Sequence, residues 1–130
     1  NIDYLFVYGT LRQEFGNELH KIIAKNSDYV GMASYQGEMF MVAEFPGIIA
    51  SNNTDNQVVG ELYKVNSPEK LFTILDDYEE YDPNNEAESL YVRKKVEVIV
   101  EGEKIVSSAY LYNRSLDGLD KIESGDFLKR

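Results

Sequence analysis

Four acidic residues lie close together near the middle of the chain: Asp76, Asp77, Glu79 and Glu80. They follow an apolar helical pattern. The C-terminal end of a helix carries partial negative charge, so acidic side chains there are mildly unfavourable. Most acidic runs form a solvated surface. The positions of these four acids around the helix decide whether all of them are solvated.

A helical-wheel projection separates Glu79 from the other three acids. With Leu71 at zero and an advance of about 100° per residue, Leu75 lies near roughly 40°, Phe72 near roughly 100° and Glu79 near roughly 80°. Glu79 therefore lies between two apolar residues. The other three acids lie outside this apolar arc, and we predict that only Glu79 faces the apolar side of the helix.

A carboxylate on the apolar side of a helix is unfavourable unless it is paired, hydrogen-bonded or protonated. Burial raises its pKa, which suits a group that takes and returns a proton near neutral pH. Two interpretations of Glu79 follow. It is either a catalytic acid/base or half of a buried ion pair, for which Arg93 is the candidate partner.

A second candidate site lies near the start of the chain, where the apolar run Leu5-Phe6-Val7 leads into Tyr8-Gly9-Thr10-Leu11-Arg12. The run predicts a buried strand. Gly9 lets the backbone come close to a bound group, and the successive N–H groups of residues 9–11 would then form a nest for an anion. An ordinary connection from strand to helix is the alternative.

Composition excludes several classes of function. The net charge of −10 makes a nucleic acid or an anionic membrane an unfavourable partner. The chain has no cysteine and a single histidine, His20, which excludes disulfides, thiolate metal sites, Cys nucleophiles and multi-histidine zinc sites. His20 is expected on a helix surface or core edge. We expect neither a metal nor a cofactor.

The length fits a single domain over residues 1–130. The sequence has no apolar run of membrane-spanning length and no signal-peptide pattern, which favours a cytoplasmic protein. Because the sequence starts at Asn1, residues upstream of it could be missing. The sequence does not indicate an oligomeric state.

Hydrophobic periodicity and turn residues predict both helices and strands. The predicted strands are 2–8, two within 29–50, 58–65, 92–100 and 105–112, and the predicted helices are 14–26 and 68 to about 79. The second helix starts with Ser67 as cap and Pro68 at its first position. Hairpins make the strands largely antiparallel, so we predict an α+β fold, a curled sheet or small barrel with helices outside it.

The candidate residues belong to an ordered set of short motifs. The set comprises Tyr8-Gly9-Thr10-Leu11-Arg12, Phe45-Pro46-Gly47, Val59-Gly60-Glu61-Leu62-Tyr63, Leu75-Asp76-Asp77-Tyr78-Glu79, Tyr91-Val92-Arg93, Ala109-Tyr110-Leu111-Tyr112 and Ser124-Gly125-Asp126-Phe127. It resembles the gamma-glutamylcyclotransferase-like family, which includes gamma-glutamylamine cyclotransferases and AIG2-like proteins. The resemblance spans essentially the whole chain and implies a small mixed, mostly antiparallel β-barrel with flanking helices.

The resemblance implies an enzyme that cyclises a gamma-glutamyl group to 5-oxoproline and releases an amine or amino acid, without metal or cofactor. Its small-molecule substrate would be held by the loop that corresponds to Tyr8, Gly9, Thr10 and Leu11. The catalytic glutamate of the family corresponds to Glu79, the residue that the helical wheel selects. The leaving amine stays undetermined.

Four further features bear on this expectation. Tyr110 would line the pocket or hydrogen-bond the substrate, or else be a half-buried strand tyrosine, and Arg12 would support the loop without touching substrate. Many family members have glycine where this chain has Glu80, and the 82–89 loop is long for the family. Both departures lie beside the expected pocket mouth and bear on the leaving group.

Other functions fit the sequence in different degrees. A non-catalytic module that binds a small amino-acid-like anion in the same pocket is the main alternative. A glycosidase needs two acids across one pocket, and only Glu79 faces the apolar side of its helix. A serine hydrolase is disfavoured because the residues around Ser34 have the wrong spacing for a Gly-x-Ser-x-Gly turn.

Overall fold

The fold, described for residues 2–130 by a computed structural model, combines seven β-strands with two α-helices. The strands are β1 (Asp3–Val7), β2 (Ser27–Met41), β3 (Pro46–Ala50), β4 (Gln57–Val65), β5 (Tyr91–Val100), β6 (Glu103–Tyr112) and β7 (Asp120–Lys121), and the helices are α1 (His20–Asn26) and α2 (Pro68–Tyr78). Neither helix is long and apolar enough to cross a membrane.

Five strands close into a barrel in the order β2-β4-β1-β6-β5, and a bridge between Ser34 and Ile99 joins β2 to β5. β1 runs parallel to β6, whereas the other neighbouring pairs are antiparallel. Strands β3 and β7 extend the sheet by pairing with β2. The predicted α+β fold with a mixed, mostly antiparallel barrel is confirmed.

Alternation along β1 divides the apolar side chains between two cores. Phe6 packs inside the barrel, whereas its neighbours Leu5 and Val7 pack under the helices with Leu71 and Leu75 of α2. Successive side chains of a strand point to opposite faces, so one short strand can serve both cores. This packing holds α2 against β1 and brings the C-terminal end of the helix beside the loop that follows β1.

The predicted helix 14–26 is wrong in its first half. A single 3-10 turn over Gln13–Phe15 ends at Gly16, which has a left-handed φ of 84°. The Asn17 side chain then accepts a hydrogen bond from the backbone N–H of Leu19 at 2.8 Å. Glycine in this conformation ends a helix, so α1 begins only at His20.

Glu80 adopts a left-handed backbone with φ of 55° directly after the end of α2. This is the position at which helices commonly carry glycine, because glycine has no Cβ to clash with the neighbouring carbonyl. This chain retains a carboxylate at the position in spite of the backbone strain.

Glu80→Gly is expected to raise the free energy of unfolding by about 1 kcal/mol, since the left-handed backbone of a non-glycine residue costs about 1–2 kcal/mol. Urea unfolding at fixed pH measures it. Asp77→Gly is the matched control: it removes the same charge from a helical backbone position and should bring no such gain. Equal gains in both variants would show that charge, and not backbone strain, is responsible.

Ser108 carries a buried hydroxyl group that has no hydrogen-bond partner among residues 2–130. It lies on β6, where it pairs with Leu5 of β1. A buried hydroxyl without a partner loses its hydration and gains nothing in return.

Ser108→Ala is therefore expected to leave stability unchanged or raise it by about 1 kcal/mol. Ser89→Ala serves as the comparison, because the equally buried Ser89 hydroxyl accepts from the N–H of Asp82 at 2.9 Å and donates to the carbonyl of Asn85 at 3.1 Å. That variant should lose about 1 kcal/mol. A loss for Ser108→Ala as large as that for Ser89→Ala, in the same thermal or urea unfolding assay, would contradict the prediction.

Candidate active site

A pocket of about 230 Å³ opens where β1 ends, beside the C-terminal end of α2. It is lined by Phe6, Val7, Tyr8, Gly9, Thr10, Leu11, Phe45, Pro46, Tyr78, Glu79, Glu80, Leu90, Tyr91 and Tyr110. All of the predicted site residues lie in this wall. The sequence analysis did not assign Tyr78, Leu90 or Tyr91 to the site, although Tyr91 belongs to one of the family-like motifs.

The carboxyl group of Glu79 lies in the pocket without a hydrogen-bond or salt-bridge partner among residues 2–130. Its backbone N–H donates to the carbonyl of Leu75 at 2.9 Å, so the last turn of α2 fixes its position. Burial raises the pKa of Glu79 to about 8. The carboxyl group of the empty pocket is therefore mostly protonated at neutral pH.

The alternative interpretation of Glu79, an ion pair with Arg93, is wrong, because Arg93 binds Asp76 instead. Its Nε and NH2 groups donate to the two Asp76 oxygens at 2.9 and 3.1 Å. The guanidinium also lies over the ring of Phe72, 4.5 Å from its centroid. Phe72 and Asp76 are one helical turn apart and share a face, so an arginine that stacks on the first meets the second.

Asp76 is also not the outward-facing acid that the wheel predicts. Its side chain is 14% exposed and accepts a hydrogen bond from the Tyr110 hydroxyl at 2.7 Å. Tyr110 lies on β6, opposite Arg93 on β5. The wheel places a residue relative to its own helix only, and here two neighbouring strands supply the partners of Asp76.

Three tyrosine hydroxyls in the pocket wall donate their protons to groups other than Glu79. Tyr8 donates to the carbonyl of Tyr110 at 2.7 Å, Tyr91 donates to the carbonyl of Pro46 at 2.6 Å, and Tyr110 donates to Asp76. Burial raises the pKa of each of these tyrosines. Their oxygens therefore remain available as hydrogen-bond acceptors, while Glu79 is the group that can titrate near neutral pH.

The nest loop, defined as Gly9–Leu11, presents three backbone N–H groups that have no acceptor among residues 2–130. A hydrogen bond from the N–H of Arg12 to the carbonyl of Gly9 at 3.1 Å closes the turn. A Cβ atom on Gly9 would lie 2.6 Å from Cγ of Pro46. This close contact is the reason that glycine is needed at position 9. A left-handed backbone is not the reason, because Gly9 does not adopt that conformation.

Tyr78 connects the end of α2 to the nest loop. Its hydroxyl lies 3.4 Å from Oγ1 of Thr10 and accepts a hydrogen bond from Nδ2 of Asn17 at 2.9 Å. On the same helical wheel Tyr78 lies near roughly −20°, within the predicted apolar arc, whereas the residue is 44% exposed at the pocket mouth. The amphipathic pattern of α2 carries no signal for this role, because a tyrosine fits either environment.

The pocket therefore combines two features on facing elements. One is a carboxyl group that exchanges a proton near neutral pH, and the other is a run of unpaired backbone N–H groups. A ligand that carries both an amine and a carboxylate would satisfy the two together.

Comparisons with known proteins find similar sequences over nearly the whole chain. Residues 5–129 match the family model of the gamma-glutamyl cyclotransferase, AIG2-like proteins. The protein MJ1514 of Methanocaldococcus jannaschii is 31% identical over 128 residues, which cover 97% of this chain and 96% of that protein. The gamma-glutamylcyclotransferase family protein YtfP of Escherichia coli K12 is 29% identical over 126 residues, with 97% and 96% coverage.

Solved structures show the same fold. The solution structure of YtfP from Escherichia coli superposes with a TM-score of 0.67 at 27% identity and covers 98% of this chain and 97% of its own. The crystal structure of YkqA from Bacillus subtilis gives a TM-score of 0.72 at 24% identity, covering 98% of this chain and 40% of YkqA. The family match over residues 5–129 and the 31% identity to MJ1514 show that the chain belongs to the gamma-glutamyl cyclotransferase, AIG2-like family.

Proposed function

We propose that this protein cyclises the gamma-glutamyl group of a small amide to 5-oxoproline and releases the attached amine or amino acid. Glu79 is the general acid and base of the proposed reaction. The observation that carries the proposal is the unpaired Glu79 carboxyl group, whose pKa burial raises to about 8, in a pocket shared with the nest loop. Family membership supports the reaction class.

The nest loop, Gly9–Leu11, binds the α-carboxylate of the gamma-glutamyl group in this proposal. Its three N–H groups lack acceptors in the protein, and hydrogen bonds from backbone N–H groups to a carboxylate are stronger than those between neutral groups. The α-ammonium of the same residue then faces the carboxyl group of Glu79. A bound ammonium stabilises the carboxylate form and lowers the pKa of Glu79.

The proposed reaction begins when the Glu79 carboxylate takes a proton from the α-ammonium. The freed amine attacks the γ-carbonyl carbon of the same residue, and a new C–N bond closes the five-membered ring. Protonated Glu79 passes its proton to the leaving nitrogen as the original amide bond breaks. The ring nitrogen loses two protons overall, and both end on the released ammonium. The attack is intramolecular, which supplies much of the rate.

Three tyrosines of the pocket wall contribute hydrogen-bond acceptor oxygens and aromatic surface in this scheme: Tyr8, Tyr91 and Tyr110. Their hydroxyl groups donate hydrogen bonds to the carbonyl of Tyr110, the carbonyl of Pro46 and the carboxylate of Asp76, respectively. The three hydroxyls therefore do not donate hydrogen bonds to the Glu79 carboxylate. Such hydrogen bonds would lower the basicity of the carboxylate.

Glu79→Gln is expected to lower the release of 5-oxoproline by about 10²- to 10⁴-fold, the usual loss on removing a general acid/base. The measurement uses a panel of gamma-glutamyl amino acids and amines. Asp77→Asn, an exposed acid outside the pocket wall, is the matched control and should retain turnover within a few-fold.

Wild-type turnover in Glu79→Gln would exclude this role for the residue. If wild-type protein binds panel members in the pocket and converts none of them, the alternative applies, and the protein is a binding module for a small amino-acid-like anion.

The pH dependence of the reaction should follow the protonation of Glu79. We expect kcat/KM to rise with pH and to level off above about 8, because the free enzyme must lose the Glu79 proton before it can act as a base. The acid limb of kcat should lie at lower pH, since the bound ammonium lowers the pKa of Glu79. A kcat/KM profile that is already flat from pH 5 upward would contradict the assignment.

Protein stability gives a check of the same pKa without substrate. The folded-state pKa of Glu79, about 8, lies above the ordinary glutamate value of 4.5, so folding takes up a proton between these values. The stability of wild type relative to Glu79→Gln should therefore fall as pH rises from about 4.5 to about 8 and stay constant outside that window.

A further inference from the structure

Arg12, the residue directly after the nest loop, is buried between two carboxylates. Its Nε donates to Oε2 of Glu61 at 3.2 Å, and its NH1 donates to Oδ1 of Asp126 at 2.8 Å. The side chains of Arg12, Glu61 and Asp126 are 3%, 4% and 12% exposed. We call these three residues the buried triad. Arg12 is not part of the pocket wall.

The buried triad also holds the backbone that follows Arg12. Oε1 of Glu61 accepts a hydrogen bond from the N–H of Gln13 at 2.9 Å and another from the Tyr63 hydroxyl at 2.8 Å. Glu61 belongs to β4 in the barrel wall and pairs with Val7 of β1. The two residues that follow the nest loop are thus both bound to β4, Arg12 by its side chain and Gln13 by its backbone N–H.

The third member of the buried triad comes from the far end of the described chain. Oδ1 of Asp126 also accepts from the N–H of Leu128 at 3.0 Å, and the carbonyl of Gly125 accepts from the N–H of Val59 on β4 at 2.8 Å. A Cβ atom on Gly125 would clash with the carbonyl oxygen of Gln57. The Ser124–Phe127 segment is therefore fixed to β4, and Asp126 is fixed with it.

Contacts on the other side complete the restraint of the nest loop. A ring nitrogen of His20, Nδ1, donates to the carbonyl of Leu11 at 2.8 Å, and Gly9 packs against Pro46. The side-chain and carbonyl contacts of the loop are thus used for support, while its N–H groups are left free.

We propose that Arg12, bridged to Glu61 and Asp126, is a positioning residue that holds the N–H groups of Gly9–Leu11 in the geometry that binds the α-carboxylate. The inference rests on the proposed function, because it assigns the α-carboxylate to the nest loop. Arg12 acts through the backbone and does not contact the substrate. The fixed fork of its guanidinium group can bridge two carboxylates, which a lysine ammonium cannot reproduce.

The experiment compares two amides of the same amine: the gamma-glutamyl amide and the 4-aminobutanoyl amide, which lacks only the α-carboxylate. Arg12→Lys keeps the charge but loses the bridge. Asp126→Asn weakens the bridge from the other end of the chain and serves as the second variant if Arg12→Lys folds poorly. Arg114→Lys, an exposed arginine bonded to the carbonyl of Glu88, is the matched control.

Kinetics and equilibrium binding are both measured, the latter in the Glu79→Gln background so that turnover is slow compared with binding. We expect the KM for the gamma-glutamyl amide to rise about 10- to 100-fold in Arg12→Lys and Asp126→Asn, with a smaller change in kcat, as for a displaced binding group. Affinity for the 4-aminobutanoyl amide should stay unchanged. The preference for the carboxylate-bearing ligand should therefore collapse in both variants and persist in Arg114→Lys.

Equal losses for the two amides would overturn the proposal, because a merely structural role lowers the folded fraction and affects both ligands alike. Failure of the proposed function looks different: wild type would release no 5-oxoproline from any substrate. Binding then still decides the positioning role. Selective loss of carboxylate recognition in the variants supports it, and a wild type that does not prefer the gamma-glutamyl amide overturns it.

Discussion

The carboxyl group of Glu79 is buried without a protein partner, and the packing around it keeps that state. Four candidate partners are committed elsewhere: Arg93 to Asp76, and the Tyr8, Tyr91 and Tyr110 hydroxyls to other acceptors. A single direct hydrogen bond to the carboxylate would favour ionisation and lower its pKa toward that of an ordinary glutamate. The barrel and α2 thus create a local environment in which one carboxyl group keeps its proton to a higher pH than an ordinary glutamate does.

The Arg93–Asp76 pair leaves the Glu79 carboxyl group without a charged partner, because the two residues of the pair bind each other. Arg93 lies on β5 and Asp76 on α2, only three residues before Glu79. If Arg93 had turned toward Glu79, its charge would have favoured the ionised form of the glutamate, and Asp76 would have kept only the hydrogen bond from the Tyr110 hydroxyl. The stacking of the guanidinium on Phe72 favours the observed arrangement.

Sequence patterns predicted the fold class, α2 and the placement of Glu79, because these depend on short-range periodicity and on ordered motifs. They failed for Asp76 and Arg93, since a wheel contains no information on strands that are distant in sequence. Helix 14–26 failed because the left-handed Gly16 interrupts an otherwise helical pattern. The roles of Tyr78 and of the Arg12 carboxylate partners also depended on contacts across the fold, which no local pattern encodes.

The bond between Arg12 and Asp126 joins residues that are 114 positions apart in sequence, and this separation has a consequence for folding. Closing so long a loop is slow and entropically unfavourable, and folding rates fall as contacts become less local. On a ribosome, β1 and its following loop are synthesised before the other described strands but remain incomplete until Asp126 has been synthesised. We therefore expect the nest loop to be among the last parts of the molecule to become ordered, after the barrel that supports it has formed.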